Sequence, residues 1–93
     1  MLHTISTDNQ SIIDPQLICA QDAVLFWQNG VFVALQNTPV LNAILEKTQH
    51  CYILDNDITA RGLDPFIDKR LHIINMQQMV ELTVQYFPQM NWQ

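Results

Sequence analysis

Short hydrophobic runs alternate along the chain with stretches in which hydrophobic residues recur at helical spacing. This alternation is typical of crossover units, in which a helix after each strand packs back onto a mainly parallel sheet. The second run is continuously apolar from Ala23 to Trp27, as expected for a central strand covered on both faces. The pattern predicts a small three-layer α/β domain with a mainly parallel four-stranded sheet and short helices on both faces. The predicted strands are residues 2–6, 23–28, 51–54 and 71–74.

Polar residues and a glycine mark the first two connections. Ser11 or Asp14 is a suitable N-cap for a short helix that contains Pro15, because a side-chain oxygen there accepts an otherwise unpaired backbone N–H. After the second strand, Gly30 permits a sharp turn. Residues 31–35 are then too apolar for a solvated helix, so we expect this segment to be buried or to lie at an interface.

The next helix starts are marked by cap residues. Thr38 followed by Pro39 predicts the beginning of a helix, with a break in the chain near Asn37. After the third strand, Asp55 is expected to cap a single short helix that Gly62 ends in a left-handed conformation.

The last helix carries the spacing of a capping box, with Asn75 at the cap and Gln78 three residues later. Pro88 is expected to end it. Its predicted apolar face consists of Met76, Met79, Val80, Val84 and Phe87.

Composition limits the size and the setting of the protein. With 93 residues and 48% hydrophobic residues, the chain is expected to form one domain over residues 1–93, only marginally stable without a partner. Neither a secretory leader pattern nor a hydrophobic run of membrane-spanning length is evident in the sequence, which predicts a soluble, cytoplasmic protein without membrane attachment. Nine acidic residues against four basic ones give a net charge of −5, which disfavours direct binding to nucleic acid.

Few residues are candidates for chemistry. Cys19 and Cys51 are the only cysteines, they form no CxxC pair and no His cluster accompanies them, so neither a disulfide framework nor a zinc site is predicted. Gly30 and Gly62 are the only glycines, so a phosphate-binding loop and hence a nucleotide cofactor are not expected. Asp55 ends a strand, as the phosphoacceptor of receiver domains does, but without the accompanying acidic pair and lysine the capping role is favoured.

Five segments of the chain, in order, form a recognisable pattern. They are Met1-Leu2-His3-Thr4, Gln28-Asn29-Gly30-Val31, Asp57-Ile58-Thr59-Ala60-Arg61-Gly62-Leu63, Val80-Glu81-Leu82-Thr83-Val84 and Gln89-Met90-Asn91-Trp92. Together they resemble the TusB/DsrH family over nearly the whole chain. Asn29 stands where that family usually has Asp, and Met79 stands where Phe is common.

The resemblance implies a role for this protein. It implies a non-catalytic subunit of a TusBCD-like sulfurtransferase complex, a relay that passes persulfide sulfur towards 2-thiolation of the tRNA wobble uridine. It also implies TusC-like and TusD-like partners in a heterohexamer, with the sulfur-accepting cysteine in the TusD-like subunit. The alternative is a DsrH-like sulfur carrier that uses Cys19 in sulfur oxidation.

The position of Cys19 argues against a carrier role. It lies near the predicted end of the first helix and close to Asp22, where negative charge disfavours a thiolate, and no Lys or Arg is adjacent. Cys51 begins an apolar strand and is expected to be an inert core thiol. Phe32 and Trp92 are the candidate interface anchors, because aromatic side chains in short helices and tails are frequent at interfaces.

Overall fold

Five strands, all parallel, form one sheet in the computed structural model, which describes all 93 residues. The order across the sheet is β4-β3-β2-β1-β5. This confirms the predicted α/β class and corrects the predicted strand number from four to five. The strands are β1 (Leu2–Ile5), β2 (Ala23–Phe26), β3 (Cys51–Leu54), β4 (His72–Ile74) and β5 (Gln89–Trp92).

The fifth strand lies in what the sequence pattern presents as a tail. It pairs with β1 in parallel, with Leu2 opposite Gln89 and Ile5 opposite Trp92. Because β5 is an edge strand, it alternates polar and apolar residues instead of forming a continuous apolar run. A four-residue alternation directly after Pro88 gives little local signal, so only the pairing with β1 defines this strand.

The connection between β1 and β2 contains no α-helix. Two 3-10 turns replace the single predicted helix, one at Gln10–Ile12 capped by Asn9 and one at Pro15–Leu17 capped by Asp14. The Asp14 Oδ1 atom accepts the Gln16 backbone N–H at 3.0 Å. Asn9 and Asp14 each accept a backbone N–H from the residue two positions later. These local hydrogen bonds compete with the hydrogen bonds of a continuous helix.

The connection between β2 and β3 follows the prediction closely. A 3-10 helix at Gln28–Phe32 leads to α1 (Pro39–Lys47), and Asn37 separates them with a φ of 66°. Val31, Val33 and Ala34 are fully buried, as their apolar character predicts.

The connection between β3 and β4 contains α2 (Asp55–Ala60) and a 3-10 turn at Asp64–Phe66. Gly62 follows α2 with a φ of 64°, which confirms its predicted role. The predicted cap at Asp55 is wrong. The cap position is Leu54, Asp55 is the first helical residue, and its side chain makes no capping hydrogen bond.

The last connection, between β4 and β5, is α3 (Met76–Gln85), and the predicted capping box is present. The Asn75 Oδ1 atom accepts the Gln78 backbone N–H, and the Gln78 Oε1 atom accepts the Asn75 backbone N–H, both at 2.9 Å. α3 lies alone on one face of the sheet and contributes Leu82 to the smaller buried cluster. The first three connections cover the other face and form the larger cluster.

The predicted apolar face of α3 is largely wrong. Leu82 is its buried residue, and Met79 and Tyr86 pack partly beside it against the sheet. The remaining predicted residues point outward, with exposed fractions of 47% for Met76, 54% for Val80, 79% for Val84 and 81% for Phe87. α3 is therefore apolar on two opposite sides. None of the three α-helices has the length and hydrophobicity needed to cross a membrane.

Candidate functional site

The carboxyl ends of β2 and β3 bring two of the family-like segments together. Because neighbouring parallel strands end at the same edge of a sheet, the turn that begins at Gln28 lies beside α2. The Gln28 backbone N–H donates to Asp57 Oδ2 at 2.7 Å. Arg61 Nη1 donates to Asp57 Oδ1, and Arg61 Nη2 donates to Asn29 Oδ1, each at 3.2 Å. Arg61 thus joins segments that are separated by about 30 residues in sequence.

Phe32 lies at the same corner and remains partly open to solvent, with 37% of its surface exposed. The guanidinium carbon of Arg61 lies 6.0 Å from the centroid of the Phe32 ring, at the limit of a cation–π contact. Phe32 therefore keeps a solvent-accessible side beside the Arg61 guanidinium.

Gly30 fixes how closely this turn approaches β1. A Cβ atom built on Gly30 would lie 1.8 Å from the carbonyl oxygen of Ile5. The same carbonyl accepts the backbone N–H of Trp27 at 3.1 Å. Only glycine fits at this position, and here the reason is space, since its φ is not in the left-handed region.

A buried polar network joins the beginning and the end of the chain. The indole N–H of Trp92 donates to Nδ1 of His3 at 3.2 Å, so Nε2 carries the ring proton and donates to Asp22 Oδ2 at 2.9 Å. Asp22 also accepts from the Met1 ammonium at 3.2 Å and from the Cys19 backbone N–H at 2.9 Å. Burial raises the pKa of the Asp22 carboxyl, but these donors outweigh burial and leave that pKa below its ordinary value.

Trp92 is only 7% exposed, because its ring packs in the larger core cluster and its N–H bonds to His3. Of the two candidate interface anchors, Phe32 is therefore the one with a solvent-accessible ring in the isolated chain. A partial signal for this network is present in the sequence, because a histidine inside an apolar strand needs a buried hydrogen-bond partner. No local pattern identifies Asp22 or Trp92 as that partner.

Cys19 is exposed and unpaired. It follows the 3-10 turn at Pro15–Leu17, so the argument from an α-helix C-terminus does not apply to it. The neighbouring negative charge is present as predicted, since Asp22 accepts the backbone N–H of Cys19. No hydrogen bond reaches the Cys19 thiol.

Cys51 lies fully inside the larger core cluster, and its thiol donates weakly to the Thr48 carbonyl at 3.5 Å. Burial raises the pKa of this thiol to about 12, against an opposing effect of the Arg70 charge. It is therefore the neutral thiol at physiological pH. His50 points to the other face, where its ring lies 6.2 Å from that of Tyr86, so the two neighbours form no Cys-His pair.

Asp55 has one buried carboxylate oxygen, Oδ1, without a hydrogen-bond partner. No set of three or more His, Cys, Asp or Glu side chains converges around it or elsewhere in the chain to bind a metal. At this edge of the sheet the structure shows a corner in which Arg61 joins α2 to the turn after β2 and Gly30 packs against β1.

The fold places this protein in the class of small parallel α/β domains. It is a small parallel α/β fold similar to the solution NMR structure of protein Tm0979 from Thermotoga maritima, with a TM-score of 0.64, 21% identity, and coverage of 91% of this chain and 93% of that one.

The sequence then defines the family. The family model described as "DsrH like protein" matches residues 7–89. Protein TusB of Erwinia tasmaniensis is 35% identical over 97 residues, covering 99% of this chain and all of that protein. Protein TusB of Buchnera aphidicola is 32% identical over 95 residues, with the same coverage. Protein TusB of Yersinia enterocolitica is 34% identical over 77 residues, covering 83% of this chain and 81% of that one. The chain belongs to the TusB/DsrH family.

Proposed function

We propose that this protein is a non-catalytic subunit of a TusBCD-like sulfur-relay complex that passes persulfide sulfur towards 2-thiolation of the tRNA wobble uridine. The observation that carries the proposal is the family assignment, which extends over nearly the whole chain and supports a sulfur-relay role in tRNA modification. The proposed partners are TusC-like and TusD-like subunits in a cytoplasmic heterohexamer.

The two thiols support the non-catalytic part of the proposal. Sulfur transfer needs a thiolate that the donor persulfide can reach. Cys51 is buried and protonated, and Cys19 is exposed but lies beside the Asp22 carboxylate. Neither thiol has a hydrogen-bonded cation that would stabilise its thiolate.

The distribution of charge supports binding to protein partners in preference to RNA. The net charge is −5, and two of the four basic residues are held in ion pairs. Arg61 pairs with Asp57 at 3.2 Å, and Arg70 pairs with Asp68 at 2.8 Å. Such residues are poorly placed to neutralise a phosphate backbone.

The exposure of Cys19 favours one alternative, a DsrH-like carrier. In that reaction the Cys19 thiolate attacks the outer sulfur of a donor persulfide. The donor sulfur–sulfur bond breaks, the donor cysteine leaves as a thiolate, and Cys19 becomes the persulfide.

One reconstitution tests both functions. The chain is mixed with its TusC-like and TusD-like subunits and a persulfide donor, and the complex and the persulfide carried by each subunit are measured by mass spectrometry. We expect the complex to require this chain, and we expect Cys19→Ser to give wild-type persulfide loading of the TusD-like subunit, as Cys51→Ser should if it folds. A chain that stays monomeric beside its folded partners would contradict the subunit role. Loss of sulfur transfer in Cys19→Ser alone would establish the carrier.

A further inference from the structure

The outward side of α3 carries an exposed row of hydrophobic side chains, which we call the α3 stripe. The spacing of four and four residues places Met76, Val80 and Val84 along one side of the helix, and Phe87 follows just beyond its C-terminal end. The opposite side already packs on the sheet through Leu82. The stripe consists of Met76, Val80, Val84 and Phe87.

The region around the α3 stripe is nearly free of charge. Glu81 is the only Asp, Glu, Lys or Arg after Arg70. The exposed residues beside the stripe are mainly amides, among them Gln77, Gln85 and Gln89. A helix that is hydrophobic on two opposite sides has the composition of a buried helix, and depletion of charge with enrichment of Met and Phe is typical of the centre of a protein interface.

The surface continues along the edge of the sheet. β5 pairs with β1 only, so the other edge of β5 is open, and none of its residues is charged. Open edges in monomers usually carry charges that block association. At the opposite edge of the sheet, Lys69 and Arg70 directly precede Leu71 and β4. The unprotected edge is thus the one next to the end of the α3 stripe.

The charge of Glu81 indicates which kind of protein can bind at the α3 stripe. Glu81 lies at the middle of α3 and flanks Val80 and Val84. In a two-fold dimer with antiparallel α3 helices, residues at the helix centre meet their own copies, so two Glu81 carboxylates would approach each other. No Lys or Arg in this region could neutralise them, and two molecules of net charge −5 also repel at long range. A second copy of the chain is therefore a poor occupant.

We infer that the α3 stripe is the docking surface for a different chain, one that presents an uncharged hydrophobic face with a Lys or Arg opposite Glu81. The inference rests on the proposed function, because the probe is the pair of TusC-like and TusD-like subunits. It deepens that function by assigning the surface through which this subunit joins the complex.

The test titrates variants of this chain into the assembled TusC-like and TusD-like pair and measures Kd by calorimetry. Val84→Glu and Phe87→Glu should each weaken binding at least about thirtyfold, since they bury an unpaired charge at the interface centre. Glu81→Lys should weaken binding about tenfold, and Glu81→Gln less. Leu17→Glu is the matched control, since Leu17 is 53% exposed in the connection on the other face of the sheet and should leave Kd unchanged.

Each outcome has a separate meaning. Wild-type affinity in Val84→Glu and Phe87→Glu would overturn the docking surface while leaving the proposed function intact. Absence of binding by the wild-type chain would overturn both. A wild-type homodimer that Val84→Glu dissociates, seen by analytical ultracentrifugation, would assign the stripe to a second copy and overturn the different-chain occupant. Circular dichroism checks that each variant is folded. Val84→Thr, which is nearly isosteric, is a second control, and it is expected to weaken binding less than Val84→Glu.

Discussion

Single residues fix how closely the elements approach one another. Gly30 is the clearest case, because the turn after β2 passes so near β1 that a methyl group at this position would overlap the Ile5 carbonyl. The two glycines of the chain serve different needs. Gly62 adopts a left-handed backbone conformation and has open space around it, whereas Gly30 is required because a side chain there would overlap β1. The sequence predicts a turn at both positions, but only the tertiary structure distinguishes their roles.

Replacement of each glycine by alanine should separate these roles. Gly30→Ala should lower the free energy of unfolding by about 3 kcal/mol, because the backbone must move to admit the methyl group. Gly62→Ala should cost about 1 kcal/mol, the strain of an alanine in the left-handed region. Urea denaturation of both variants measures the difference. Equal losses would contradict the close contact with Ile5.

At the scale of elements, α3 combines a predictable beginning with an unpredictable orientation. Its capping box follows from Asn75 and Gln78 alone, since both hydrogen bonds form within one turn. Its inward side does not follow from its sequence. Val80 and Val84 are as hydrophobic as the residues that pack inward, and only the position of the helix over β1 and β2 selects Leu82 for the core.

The capping box predicts a local cost that is independent of the α3 stripe. Asn75→Ala should lower the free energy of unfolding by about 1 kcal/mol, because two backbone N–H groups lose their partners or their alignment. Gln77→Ala, at an exposed position in the same helix, should be neutral or slightly stabilising. Thermal unfolding followed by circular dichroism compares the two variants. A neutral Asn75→Ala would show that the cap does not limit the stability of α3.

At the scale of the whole molecule, Asp22 ties distant parts of the chain together. It accepts hydrogen bonds from the Met1 ammonium, from His3 on β1 and from the backbone of Cys19, and His3 in turn accepts from Trp92 on β5. One carboxylate therefore helps to hold β5, the strand that the sequence pattern does not predict.

The lowered pKa of Asp22 makes the stability of the fold depend on pH. Its folded pKa lies below the unfolded value of 3.8, so its contribution is complete above that value and is lost as the pH falls through the folded pKa. Asp22→Asn should therefore lose about 2 kcal/mol of unfolding free energy at pH 7, and its stability should fall less steeply than that of the wild type below pH 4.

Asp8→Asn is the matched control, since Asp8 is exposed and forms no hydrogen bond through its side chain. It should follow the wild-type pH profile, measured by urea denaturation between pH 2 and 7. Every variant is expected to lose some free energy of unfolding in acid, because the hydrogen bond from Arg70 also holds the pKa of Asp68 below its ordinary value. An Asp22→Asn profile parallel to that of the wild type would show that Asp22 is not the acid-sensitive group.

Patterns within the amino-acid sequence are sufficient to predict the α/β class, four of the five strands, the start of α3, the turn at Gly62 and the family. These features depend on the hydrophobicity of short runs and on hydrogen bonds within one helical turn. They can therefore be predicted from residues that are close together in the sequence. The tertiary structure decided the fifth strand, the inward side of α3, the split of the first connection into two 3-10 turns, and the burial of Trp92 against His3. The strand, the helix face and the buried pair depend on residues far apart in the chain, whose positions only the assembled sheet fixes. The two 3-10 turns of the first connection result from a local competition between backbone and side-chain hydrogen bonds. The cap residues alone do not predict whether one helix or two turns will form.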